Sequence, residues 1–185
     1  MRDLLEKHKA NVNYVNDKGF TALYNASSED HPEVIDVLIA AGARVDWTRA
    51  KCGSTAPCIA SQEGQLQAVC SLIRANADPN QVMTDEWAYS PLMLAAEKGH
   101  ALVIDTLAAA GARVDYARPN DGVTALQLAS EAGQLQAVRS LLLAGADPHL
   151  AAHDCTTALD DAKSNKHTAI VALLEARLAE LAASP

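Results

Sequence analysis

Aromatic side chains are scarce in this 185-residue chain: one Phe, two Trp and four Tyr make 4 % of it, although 49 % is hydrophobic. Any core must therefore be built from Ala, Leu, Val and Ile, whose small volumes let helices pack at close range. Cysteine is also sparse. Cys52, Cys58, Cys70 and Cys155 follow neither the C-x2-C spacing of a metal site nor the density of a disulfide-stapled domain. They read as free thiols and point to a reducing compartment, intracellular and in the first instance cytoplasmic. No apolar run reaches the ~20 residues that cross a bilayer, and the charged start Met1 to Ala10 lacks the apolar stretch of a secretion signal. Positive charge is short too, since 15 Lys and Arg stand against 23 Asp and Glu, net −8. An acidic surface repels phosphate, so neither nucleic acid nor an anionic membrane is expected as a partner.

What the chain does have is a repeat. A Gly-x-Thr-Ala-Leu pattern recurs at Gly19-Phe20-Thr21-Ala22-Leu23, Gly53-Ser54-Thr55-Ala56-Pro57, Ala88-Tyr89-Ser90-Pro91-Leu92, Gly122-Val123-Thr124-Ala125-Leu126 and Cys155-Thr156-Thr157-Ala158-Leu159. Seven residues past each start stands an alanine: Ala26, Ala60, Ala95, Ala129 and Ala162. Sixteen past the first four alanines comes Gly42, Asn76, Gly111 or Gly145, each followed by Ala. Length varies only between that residue and the next start. Constant helices joined by variable loops are what stacking demands, because helix faces must stay in register and exposed loops need not.

Each unit has legible chemistry. Thr21, Thr55, Ser90, Thr124 and Thr157 can cap a first helix by accepting a bond from an orphaned backbone N–H. That helix ends near Glu29-Asp30, Glu63-Gly64, Lys98-Gly99 and Ala132-Gly133. A second helix carries apolar pairs one turn apart: Val34, Ile35, Leu38 and Ile39; Ala68, Val69, Leu72 and Ile73; Val103, Ile104 and Leu107; Val138, Leu141 and Leu142. Cys70, on this helix, is expected in the core. A Gly or Asn stop and a short extended piece follow, suited to a hairpin tip.

This unit resembles the ankyrin repeat, with its ~33-residue period, T-P-L-H-x-A motif, β-turn and two helices. The likeness runs from about residue 4 to about residue 178. It implies an all-α ankyrin-repeat solenoid of stacked helix-turn-helix units with β-hairpin loops. The boundaries read as an N-terminal half repeat over 1–16, repeats over 17–50, 51–85, 86–119 and 120–152, and a capping repeat over 153–185. Leu4, Leu5, Val12 and Asn13 supply the half repeat. In the cap, Ile170, Val171, Leu174, Leu178 and Leu181 form one stripe, with Glu175, Arg177 and Glu180 facing outward. Departures are specific: Pro57 replaces Leu, Ala88 and Cys155 replace Gly, and the His place holds Tyr24, Cys58, Met93, Gln127 and Asp160. In the family that His bonds to the next unit.

The resemblance also implies a concave surface of hairpin tips and first helices that grips another protein. All seven aromatic residues fall from six positions before to five after a repeat start, windows that cover 60 of the 185 residues. They cluster where interface anchors would sit. Tyr24 is expected to pack against the neighbouring unit. Phe20, Trp87 and Tyr89 are either partner contacts or hairpin packing. Trp47 with Arg49, and Tyr116 with Arg118, occupy like places in two expanded loops; an aromatic beside Arg is an anchor composition, and a cation–π pair inside the loop is the other reading. His149, His153, Asp154 and Cys155 offer metal-ligand types without completing a site, and Glu63, Glu97 and Glu131 suit either a basic partner strip or solvated helix ends.

The sequence therefore predicts a monomeric, non-enzymatic protein-interaction module without cofactor or metal, its partner contacts at Phe20, Trp47, Arg49, Trp87, Tyr89, Tyr116 and Arg118. The alternative is a targeting or regulatory arm of a larger enzyme or signalling protein.

Overall fold

A computed structural model describes residues 11–183; Leu4 and Leu5, which the sequence assigns to a half repeat, lie outside the described residues. Among those, ten helices alternate short and longer: α1 Ala22–Ser28, α2 Pro32–Ala40, α3 Ala56–Gln62, α4 Leu66–Arg74, α5 Pro91–Lys98, α6 Ala101–Ala109, α7 Ala125–Glu131, α8 Leu135–Leu143, α9 Ala158–Ser164 and α10 Thr168–Ala183. The chain divides into two compact units, one ending at Pro91 and one beginning at Leu92. In the first, α1 packs on α3 and α2 on α4; in the second, α7 packs on α9, while α8 packs on both α6 and α10. None of these helices is long and apolar enough to cross a membrane.

The first helices start where the sequence places them. The hydroxyls of Thr21, Thr55, Thr124 and Thr157 accept from the N–H of Tyr24, Cys58, Gln127 and Asp160, at 3.1, 3.3, 3.4 and 3.3 Å. Gln127 and Asp160 bond back to the cap N–H, completing a capping box. The alanines seven past each start are all buried, because a methyl is what the gap between successive first helices accommodates. On the second helices the leucines Leu38, Leu72, Leu107, Leu141 and Leu174 are buried at one register. Cys70, expected in the core, is half-buried instead: it faces the edge of α4, one residue past Val69.

The hairpin loops carry no strand among the described residues. Their backbone is held by the isolated antiparallel bridges Ala117–Thr124 and Ala151–Thr157, and by turns such as Gly53 N–H donating to Arg49 O at 2.7 Å. The residue at the repeat start takes a left-handed φ, +75° at Gly122, +47° at Ala88 and +68° at Cys155. At Gly122 a side chain is excluded twice over, since a Cβ would come within 2.7 Å of the His153 ring as well as being strained. Ala88 and Cys155 bear that strain.

The expected outcome is that Gly122→Ala lowers the melting temperature, whereas Ala88→Gly raises stability by about 0.5–1 kcal/mol, both read by thermal unfolding. Leu72→Ala should cost about 2–5 kcal/mol through its cavity; a loss below that range would show that Leu72 is not closely packed.

Candidate partner-binding grooves

In the first unit the expanded loop between α2 and α3 turns back on α1. The bond from Arg49 N–H to Ser54 O, 2.9 Å, fixes the turn and lays the Arg49 guanidinium over the Phe20 ring at 4.6 Å. Phe20 stacks on Tyr24, centroids 5.1 Å apart, and Tyr24 meets Trp47 edge-on at 6.2 Å. Tyr24 is buried, its hydroxyl 3.3 Å from Ser54 Oγ in the next repeat, and burial pushes its phenol pKa up. Phe20, Tyr24 and the loop pair Trp47 and Arg49, read apart from one another in the sequence, thus form one cluster. Phe20, Trp47 and Arg49 are half-buried, and Arg49 pairs with Phe20, not with the aromatic of its own loop.

Phe20, Tyr24 and Arg49 of that cluster wall a groove of about 440 Å³, closed on its other sides by Glu29, Gln62 and Met83, with Trp47 packed behind Tyr24. Arg49 Nε is buried and has no hydrogen-bond partner among the described residues. Farther along the same unit, Trp87 is 52 % exposed beside the strained Ala88. Tyr89 is half-buried, and its carbonyl accepts from Met83 N–H at 2.9 Å, tying the tip to the groove wall.

The second unit repeats the loop with a different outcome. Arg118 is only 7 % exposed, and its guanidinium grips Asp121 through Nε–Oδ1 at 3.1 Å and Nη2–Oδ2 at 2.6 Å. A carboxylate three residues away thus ties the guanidinium, read from sequence as a candidate anchor, to its own loop as a brace. The cation over Tyr116 is Arg113, 5.1 Å from the ring centre.

A second groove, about 370 Å³, lies between α7 and the next hairpin. It occupies the same repeat positions as the first: Val123, Gln127, Glu131, Asp154 and Asp161 stand where the first unit has Phe20, Tyr24, Ser28, Cys52 and Ile59. The two aromatics have given way to Val and Gln, and the three neutral side chains Ser28, Cys52 and Ile59 to carboxylates. Burial, then the charges of Glu131, Asp154 and Asp160, push the Asp161 pKa up to about 6. The hydroxyl of Thr156 holds Asp154 below the usual carboxylate range. His153 sets Nδ1 3.2 Å from Asn120 O. Among the described residues, no three His, Cys, Asp or Glu side chains are grouped so as to hold a metal.

Two sets of cross-repeat bonds hold these walls apart. The place usually taken by His still bridges: Gln127 Nε2 donates to Thr156 O at 2.9 Å and the Tyr24 and Ser54 hydroxyls share a bond at 3.3 Å, while the Cys58 thiol donates to Gln81 O at 3.7 Å in the loop that leads to the next repeat. The other set was not read from sequence. Gln65 Nε2 donates to Ser28 O at 2.8 Å and Gln134 Nε2 to Glu97 O at 3.3 Å, while His167 Nε2 lies 3.0 Å from Glu131 O. All three stand twelve residues past a repeat start, a recurrence visible once Gln and His are treated as one class of donor.

Asp161 has its folded pKa raised above the unfolded value, so it binds a proton more readily when folded. Its ionisation therefore weakens the fold as pH rises from about 4 through about 6. Asp161→Asn should raise the melting temperature at pH 7.5 and change it little at pH 4; an equal gain at both would show that the charge is not the cause.

Family models for ankyrin repeats match residues 57–152, as three copies, and residues 1–39. The chain is 37 % identical over 130 residues to the ankyrin repeat and KH domain-containing protein mask-1 of Caenorhabditis elegans, covering 70 % of this chain and 5 % of that protein. It is 36 % identical over 96 residues to the probable E3 ubiquitin-protein ligase XBOS34 of Oryza sativa subsp. japonica, 51 % of this chain and 19 % of the relative. Against ankyrin repeat domain-containing protein 63 of Mus musculus it is 36 % identical over 111 residues, 58 % and 27 % of the two chains. It thus spans between a twentieth and about a quarter of the length of these relatives. The match over more than half the chain and the recurring capped helix pairs place it in one family: the chain belongs to the ankyrin-repeat proteins, whose repeats are protein-interaction modules.

Proposed function

We propose that this chain is a non-enzymatic, monomeric module that seats a partner protein on its hairpin and first-helix face, inside the cell. The observation that carries the reading is the groove of the first unit, where Phe20 and Tyr24 are already stacked, Trp47 backs Tyr24 edge-on, and Arg49 keeps a buried Nε without a hydrogen-bond partner among the described residues. Rings fixed before binding lose little freedom on binding, so their contact area is retained as affinity. The guanidinium favours an acidic or carbonyl-bearing segment over a basic one. Trp87, Tyr89 and Tyr116 extend the contact set as candidate anchors at hairpin tips. Arg118 is left out because Asp121 already holds it. The net charge of −8 supports a protein partner over nucleic acid.

A second reading is a targeting or regulatory arm of a larger enzyme or signalling protein. It is favoured by relatives named as a probable E3 ubiquitin-protein ligase and as the tyrosine-protein kinase Shark of Drosophila melanogaster, of which the chain spans 19 % and 13 %. A catalytic region in the same full-length transcript would establish that reading.

Quantitative capture from lysate by wild-type chain, compared with the Trp87→Ala/Arg49→Ala double variant, tests the face. The expected result is loss of a specific band by about tenfold or more with Trp87→Ala alone leaving the melting temperature unchanged. Undiminished capture by the double variant would remove this face from consideration.

A further inference from the structure

The second helices of the two units differ in one respect that the hairpin face does not use. In the first unit α2 and α4 are bridged on their outer surface by Asp36 Oδ2 and Arg74 Nη2, 3.6 Å apart. Asp36 stands seventeen residues past its repeat start and Arg74 twenty-one past the next. In the second unit those two places hold Arg139 on α8 and Ala176 on α10. A cation has replaced the acid, and a methyl has replaced the cation. The bridging pair is gone, and between α8 and α10 runs a groove of about 370 Å³ lined by Arg139, Leu142, Leu143, Leu173, Ala176, Arg177 and Glu180. Leu143, at the end of α8, is 88 % exposed.

Arg177, expected to face outward, turns into this groove. Its Nη1 meets Glu180 Oε2 at 3.2 Å, but its Nε is buried with no hydrogen-bond partner among the described residues. Arg139 forms no ion pair among the described residues. The result is an apolar floor with a guanidinium on each wall, one of them paired to Glu180, so that the lining keeps a net positive charge in a chain whose net charge is negative.

We propose that this groove docks an acidic amphipathic helix of a partner protein, at a surface separate from the hairpin face. Charge selects the acidic flank: Glu180 meets one edge of the Arg177 guanidinium, but Arg139 and the Arg177 Nε remain to be met by carboxylates, and the equivalent site in the first unit shows a carboxylate meeting a guanidinium across the same gap. The floor selects a helix. Arg139, Leu142 and Leu143 follow i, i+3, i+4, and Leu173, Ala176 and Arg177 do the same on the facing helix, so the depressions between them match ridges of a third helix. Both walls are helices with their backbone groups paired internally, leaving no edge for an added strand.

The test uses the full chain and two labelled, stapled peptides of about five turns, each with Leu at i, i+3, i+4 and i+7, one flanked by Glu and the other by Lys. Fluorescence anisotropy should show the Glu peptide binding, weakening as salt is raised, and the Lys peptide failing to bind. Arg139→Glu and Leu143→Glu, both at exposed positions, should each lower affinity about tenfold or more with the melting temperature unchanged, and Arg139→Glu should shift preference toward the Lys peptide. Absence of binding, equal binding of both peptides, or insensitivity to Arg139→Glu would overturn the proposal. Concentration-dependent self-association abolished by Leu143→Glu would also overturn it, by assigning the groove to a second copy of the chain.

Discussion

A methyl group sets the spacing of each unit. Ala26 and Ala60 in one, and Ala95, Ala129 and Ala162 in the other, are buried where first helices pass one another. A larger side chain there would force the helices apart and strand the cross-repeat bonds, whose reach is fixed. Gln134 Nε2 meets Glu97 O, and His167 Nε2 lies against Glu131 O, only because the helices approach as closely as Ala allows. The left-handed residue before each of these donors belongs to the same constraint. A Cβ on Gly133 would come within 2.6 Å of the His167 ring. Lys166, at the equivalent place in the last repeat of the described chain, carries a side chain at φ +61°.

With that spacing set, the chemistry at the fourth place of the motif is free to change provided it still reaches. Tyr24, Cys58 and Gln127 differ in size and polarity, yet Tyr24 and Gln127 bond to the following repeat and Cys58 to the loop that leads into it. Asp160 bonds within its own turn, to the Thr157 hydroxyl and N–H, which holds its carboxyl below the usual range. What the family obtains from His is a donor at a given height above the helix start, and several side chains supply it.

Much of this was legible in the residues themselves. The helix starts, the buried leucines of the second helices and the closing left-handed turns follow from capping, periodicity and glycine placement, all local properties. The walls of the grooves were legible only as composition. That Phe20, Tyr24 and Trp47 share one stack depends on how a loop of many residues folds back, and period and propensity do not encode that path. Arg118 is instructive because its brace, Asp121, lies three residues away; the pairing was visible in principle but competed with Tyr116 for the same guanidinium. Tyr116 received Arg113 instead, a cation from the preceding helix stop. Arg177 failed differently. Its place on an apparently outward stripe of α10 concealed that an Arg stem can bury against leucines while its head stays polar.

Comparing equivalent positions across the repeats separates what the fold needs from what it tolerates. Where Ile59 serves in one groove, Asp161 serves in the other, with a pKa lifted by burial and by neighbouring acids. Ionised Asp161 opposes folding, so stacking does not require it. The Asp36 and Arg74 positions changing to Arg139 and Ala176 follow the same logic on the opposite helices: the ion pair is exposed and contributes little to stability, so the fold allows its loss. Positions that stacking ignores are the ones at which partner chemistry can be written, and in this chain they fall on both the hairpin side and the outer side of its units.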